Sequence, residues 1–141
     1  DIGKVGTPDH ILLKPGRLTA EELFVMRQHS GIGHDILQGS SSPMIQMAAE
    51  IALTHHEKFD GSGYPDGTVG EAIPISGRIV AVADVFDALT SPRPYKEAWP
   101  LERAFDFIKS ARGSHFDPAC VDAFFAVIPE VLIIRERFQD E

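Results

Sequence analysis

The chain has 141 residues and a formal net charge of −8, with 43% hydrophobic and 24% charged residues, which fits one globular domain with a real core and is too short for two. The acidic balance argues against a nucleic-acid duplex as partner, which calls for clustered Lys and Arg, but leaves a small anionic substrate open because local charge can oppose net charge. The lone Cys120 excludes an internal disulfide, and no apolar run reaches membrane-spanning length or follows a cationic start, so a cytoplasmic chain without membrane contact is expected.

In chain order, the first eighteen residues read as loop, broken by Gly3, Gly6, Pro8, Pro15 and Gly16. Thr19-Ala20-Glu21-Glu22 is a capping box that opens a helix carrying Leu23, Val25, Met26 and His29. His34-Asp35 is a literal His-Asp pair, but Gly31 and Gly33 precede it and predict an exposed turn. Ser42-Pro43 starts a second helix, with Ile45, Ala48, Ile51, Ala52 and His55 at helical spacing. Between His56 and Ile73 runs a Gly/Pro-rich loop too long for mere connection. Residues 76–89 are apolar nearly all round and predict a buried helix. A fourth helix spans 101–112, with Ala104, Phe105 and Ile108 inward and Gly113 as its stop. Asp117-Pro118 caps a fifth that includes Val121, Phe124, Phe125 and Ile128, and the tail EVLIIRERF reads as a last helix. No repeat or interdomain linker interrupts this pattern, so the chain is expected to be one all-α domain.

Chemistry concentrates in a few places. Asp84 sits among Val80, Ala81 and Ala88 on an apolar helix, where a carboxylate is costly unless paired, hydrogen-bonded or metal-bound. A salt bridge to Arg78 is the plain alternative. His29 and His55 lie on apolar faces, and His56 is rotated by about a hundred degrees from His55. Three such histidines with an inward aspartate favour a metal site, because imidazole and carboxylate together suit Fe, Mn, Co or Zn. Adjacent helical histidines diverge, which would serve two neighbouring metals better than one. In SPRPYK, Arg93 and Lys96 follow the buried helix and could hold a phosphate, or belong to a solvated turn. Tyr64 offers a flat face for a base, with Gly61 and Gly63 allowing close backbone approach, or it staples the loop to the core. His10 and His115 lie in loops without inward periodicity and receive no role.

The stretches DIGKVGTPDHILLKPGRLT, HHEKFDGSGYPDG, RIVAVADVFDALTSPRPYK and GSHFDPACVDAF resemble, in order, the signatures of the HD-GYP family, a branch of the HD metal-dependent phosphohydrolases. The match runs from Asp1 to about Val127. This resemblance implies an HD-domain-like helical bundle holding two or three divalent ions, commonly iron or manganese. It implies hydrolysis of cyclic di-GMP to the linear dinucleotide or GMP. By the same resemblance Asp1, His29, His55, His56 and Asp84 would be metal ligands. Asp1 and Lys4 would act at the reacting phosphate, while Gly63, Tyr64, Pro65, Arg93 and Lys96 would contact substrate. The family's dyad histidine would precede Asp1, with further ligands on an upstream helix. The chain is therefore expected to be the C-terminal part of such a domain, behind an upstream sensory or receiver domain. Apolar faces left without their packing partner would favour association with another copy. The rival reading is a non-catalytic module that senses a cyclic nucleotide or docks a partner protein.

Overall fold

A computed structural model describes residues 1–94 and 96–139 and, among these, contains helices, turns and two isolated bridges but no extended strand. The stretch expected as loop holds a 3₁₀ turn, Ile2–Gly6, and a short helix α1, Asp9–Leu12. Pro8 fixes the backbone ahead of α1, and Asp9 favours its first turn. The remaining helices are α2 (Ala20–Arg27), α3 (His29–Leu37), α4 (Pro43–Thr54), α5 (Ile75–Thr90), α6 (Leu101–Ser110), α7 (Pro118–Ala126) and α8 (Ile128–Arg137). No helix among the described residues is long and apolar enough to cross a membrane.

The expected start signals act as read. Thr19 Oγ1 accepts the Glu22 N–H at 3.2 Å, and Asp117 Oδ1 accepts that of Ala119 at 2.8 Å. Pro43 and Pro118 open their helices, where a missing N–H costs nothing. Other expectations are corrected. The helix of the Thr19 box ends before His29, because the Gln28 N–H bonds Val25 O at 3.2 Å, one residue short of α register. His34-Asp35 lies inside α3 and not on a turn, and Ile128 opens α8 and does not close α7.

Two packing centres share α5. On one side Ala81, Val82, Phe86 and Leu89 meet Ala104, Ile108, Ala111, Phe116 and Val121 in the main core, with Phe105, Phe124 and Phe125 packed around it. On the other side α4 packs on α5 and on α3, which in turn carries the 3₁₀ turn. That last contact is close enough to require glycine: a Cβ at Gly3 would overlap the His29 carbonyl and the Gly33 N–H. Asp1 and Lys4 are thereby laid beside the first residue of α3. The expectation that α5 is buried all round fails at its start, where Ile75 and Ile79 are 54% and 55% exposed.

One ion pair ties these parts to the long loop. Arg78 Nη1 lies 2.6 Å from the Asp117 carboxylate, and Arg78 Nε donates to Ile73 O at 2.8 Å. The segment just before Asp117 holds the other leg of the loop: Phe59 N–H donates to His115 O at 3.0 Å and Asp60 N–H to Ser114 O at 2.9 Å. His115, given no role from sequence, thus serves through its carbonyl. Burial pushes its imidazole down to about 4, and the neutral ring stacks on Phe116 at 4.2 Å. The alternative Arg78–Asp84 pair is not formed; Arg78 belongs to Asp117.

Burial alone would raise the Asp117 carboxyl, but the Arg78 guanidinium and the Ala119 N–H outweigh it and hold it below its ordinary 3.8. Because the folded value is depressed, this contribution is present above the ordinary value and lost as pH falls through the folded one. Asp117→Ala strands the Arg78 guanidinium and removes a helix cap, and is expected to cost about 3–5 kcal/mol in urea unfolding at pH 7. The difference from the parent chain should shrink below about pH 4, where the parent also loses the charge.

Candidate metal centre

The site is built from helix ends. His29 is the first residue of α3 and His55 caps the end of α4, and both are buried. His29 Nδ1–H donates to Met26 O at 2.7 Å, and His55 Nδ1–H donates to Ile51 O at 2.8 Å. Each carbonyl keeps the proton on the outer nitrogen, so Nε2 presents a lone pair inward. Asp1 Oδ1 stands 3.5 Å from His29 Nε2 and 3.8 Å from His55 Nε2. His56 Nε2 lies 3.1 Å from His29 Nε2. One ligand atom from each of Asp1, His29, His55 and His56 falls within 4.8 Å of the others.

The expected divergence of the paired histidines is corrected here. Their rings lie 4.0 Å apart between centroids, and both join one group. The helix stops at Thr54, and both histidines lie in the turn that follows it.

Burial lowers the pKa of all three imidazoles: His29 and His55 are pushed below the ordinary histidine value, and His56 falls to about 3, helped by the neighbouring His55 and His29. At neutral pH they are neutral, the state in which imidazole ligates. Two facing Nε2 atoms at 3.1 Å call for a proton or a cation between them. Nitrogens bound at about 2.1 Å to one ion, at right angles, would stand about 3 Å apart. Three neutral imidazoles and one carboxylate therefore fit a first-row divalent ion, by donor type and by spacing.

The other sequence candidates are distributed around this group. Lys4 Nζ is 3.4 Å from Asp1 Oδ1, at the edge of the centre. Asp84 is half-buried on α5 and stands outside the four-atom group, yet its charge reaches His55 and Tyr64: it opposes the burial that lowers the first and adds to the burial that raises the second. Arg93 and Lys96 lie past the end of α5. Arg93 Nη2 is 3.7 Å from Asp87 Oδ2, and Lys96 Nζ sits 4.8 Å from the Trp99 ring. No contact among the described residues joins either to the histidines.

The Gly/Pro-rich loop covers the histidines. Tyr64 N–H donates to His56 O at 3.2 Å, and the Tyr64 ring stacks on the His56 ring at 4.9 Å and 16°. Gly63 is needed for this return, since a Cβ there would overlap the His56 carbonyl and the Lys58 N–H. The Tyr64–Pro65 bond is cis. One face of Tyr64 is thus committed to His56, where the sequence had offered it to a base.

Two residues escaped sequence reasoning. Glu57 is 2% exposed and accepts the N–H groups of Asp66 at 2.8 Å and Thr68 at 3.1 Å, so one buried carboxylate shapes the loop. A carboxylate beside a loop with no helix to satisfy its N–H groups was the available signal. Arg27, at the end of α2, places its guanidinium 4.8 Å from the Tyr64 ring centroid. Nothing in its spacing marks it, because the contact depends on how the loop folds back.

Comparison with known proteins agrees with this geometry. Residues 1–120 match the HD domain family. The chain is 60% identical over 123 residues to the cyclic di-GMP phosphodiesterase response regulator RpfG of Xanthomonas campestris, covering 87% of this chain and 32% of that protein. It is 56% identical over 141 residues to a cyclic di-GMP phosphodiesterase of Thermotoga maritima, covering 100% of this chain and 38% of that protein. The chain thus spans about a third of the length of these curated relatives. A crystal structure of a cyclic GMP-AMP specific phosphodiesterase from V. cholerae shares the fold, with a TM-score of 0.60 at 18% identity over 94% of this chain and 34% of that one. With its helical architecture, its Asp/His centre and its Gly-Tyr-Pro loop, the chain belongs to the HD domain family, as a member of HD-GYP type.

Proposed function

We propose that this chain is the catalytic region of a metal-dependent phosphodiesterase that hydrolyses cyclic di-GMP to the linear dinucleotide or GMP. The observation that carries this reading is the convergence of Asp1, His29, His55 and His56 under the Tyr64 ring. The names of the relatives support the substrate class. The sensing alternative has no such support, since recognition alone does not require four converging metal donors, two of them imidazoles with the Nδ1 proton held by a carbonyl.

In this reading Asp1, His29, His55 and His56 hold iron or manganese, and Asp84 supplies a further ligand that extends the site to two or three ions. Divalent ions there supply a nucleophile by lowering the pKa of bound water and act as Lewis acid on the phosphoryl oxygen. The residues of the chain do the rest. Met26 O and Ile51 O orient the imidazoles through their Nδ1–H groups. Lys4, beside Asp1, would neutralise charge on the reacting phosphate or deliver a proton to the leaving oxygen. The Gly63-Tyr64-Pro65 turn closes over the centre and excludes water from the His56 side. Arg93 and Lys96 contact substrate phosphate. The Arg93–Asp87 pair is exposed and long, so a phosphodiester displaces it at little cost. The reading includes cytoplasmic placement, an upstream sensory or receiver domain in the parent protein, and association of the exposed apolar faces with a second copy.

Metal analysis with a cyclic di-GMP hydrolysis assay tests it. His56→Ala should weaken metal binding by more than about tenfold and abolish turnover. Asp84→Ala should lower the number of ions bound while leaving one in place. Unchanged metal content in both variants would return these residues to the role of core polar groups.

Arg93→Ala should leave metal bound and raise KM. A charge-assisted hydrogen bond contributes about 1.5–3 kcal/mol, which corresponds to about a ten- to hundredfold loss of kcat/KM. Parent-like kinetics in that variant would reduce SPRPYK to a surface turn.

A further inference from the structure

Arg27 ends α2, two residues ahead of His29. Its guanidinium lies 4.8 Å from the Tyr64 ring centroid, and that ring in turn lies on His56. Arg27 is exposed, and among the described residues it forms no ion pair. Of the other cations discussed so far, Lys4 pairs with Asp1 and Arg78 with Asp117, while Arg93 and Lys96 lie past the end of α5, without a contact to the Tyr64 cover among the described residues. Arg27 therefore combines contact with the cover of the metal centre and a guanidinium without a carboxylate partner.

The next step rests on the phosphodiesterase reading above. A cyclic dinucleotide carries two phosphodiesters on one ring of bonds. While one lies at the donor cluster, the other is held away from it with its full negative charge. The chain as a whole carries −8, so it offers no general attraction, and each phosphate needs its own local cation: Arg93 and Lys96 for one, a further cation for the other. A guanidinium suits this task because its planar fork grips two phosphate oxygens at once. Its contact with the Tyr64 ring restrains it beforehand, which lowers the cost of ordering it on binding.

We propose that Arg27 binds the phosphodiester that is not being cleaved, and so favours a cyclic dinucleotide over an ester with a single phosphate. Tyr64 is then shared: its ring covers His56 and also aims Arg27. A purely structural Arg27 would act only by steadying Tyr64, and its loss would damage every substrate alike.

The test compares Arg27→Ala and Arg27→Lys with the parent in the metal-loaded protein, using cyclic di-GMP and bis(4-nitrophenyl) phosphate, which has one phosphodiester. Arg27→Ala is expected to lose about ten- to a hundredfold in kcat/KM on cyclic di-GMP, carried by KM, with a much smaller loss on the single ester. Arg27→Lys keeps the charge without the fork and should recover part of the loss. Calorimetry of cyclic di-GMP binding to the metal-free protein should show about the same weakening in Arg27→Ala, without any turnover. Equal losses on both esters, or an unchanged KM and binding constant for cyclic di-GMP, would overturn the assignment. A parent protein that hydrolyses neither ester would overturn the phosphodiesterase reading instead, and the calorimetric comparison would still decide Arg27.

Discussion

Three imidazoles crowded into a few ångströms can stay there only if none of them carries an extra proton. Every element around the centre serves that condition. Burial disfavours the charged form of His29, His55 and His56, and each positive neighbour would penalise the next. The tautomers are set from outside, by carbonyls in the last turn of a helix that accept an Nδ1–H beside a backbone N–H. His29 takes the carbonyl of Met26 in the last turn of α2, and His55 takes that of Ile51 in the last turn of α4. The same break in the chain that ends a helix therefore points a nitrogen lone pair into the site.

The close packing of the 3₁₀ turn on α3 completes the donor set. Gly3 brings Asp1 to the histidines by letting one backbone touch another, with no side chain between. A carboxylate added to three neutral nitrogens changes the balance of charge at the centre and makes a cation welcome there. Lys4 sits beside that carboxylate on its exposed side, where water moderates their attraction. The centre thus joins a rigid buried half, made by helix ends, to a more open half made by the start of the chain and the long loop.

Much of this was legible in the sequence, and for identifiable reasons. Caps at Thr19 and Asp117, prolines at helix starts and apolar spacing in α4 to α7 are local signals, and local signals survive folding. His29, His55 and His56 stood out because their residue type is rare on apolar faces, and Asp1 because it resembles the aspartate of the family's His-Asp dyad. What failed was geometry that depends on where helices stop. The paired histidines bring their rings together in the turn that follows α4, and α5 is open at Ile75 and Ile79. Glu57 and Arg27 were illegible for a different reason: both act on a loop whose path is fixed by residues far along the chain.

That long-range dependence has a consequence for the order in which the chain assembles. The four donors of the central cluster lie within the first 56 residues, and their supporting carbonyls come from the same stretch. The loop that covers them is fastened by Ser114, His115 and Asp117, which emerge from the ribosome about sixty residues later at the usual amino-to-carboxyl order of synthesis. A nascent chain thus exposes these four donors before it can close the cover. Gathering of the donors and closing of the cover are separated in time by the primary structure itself.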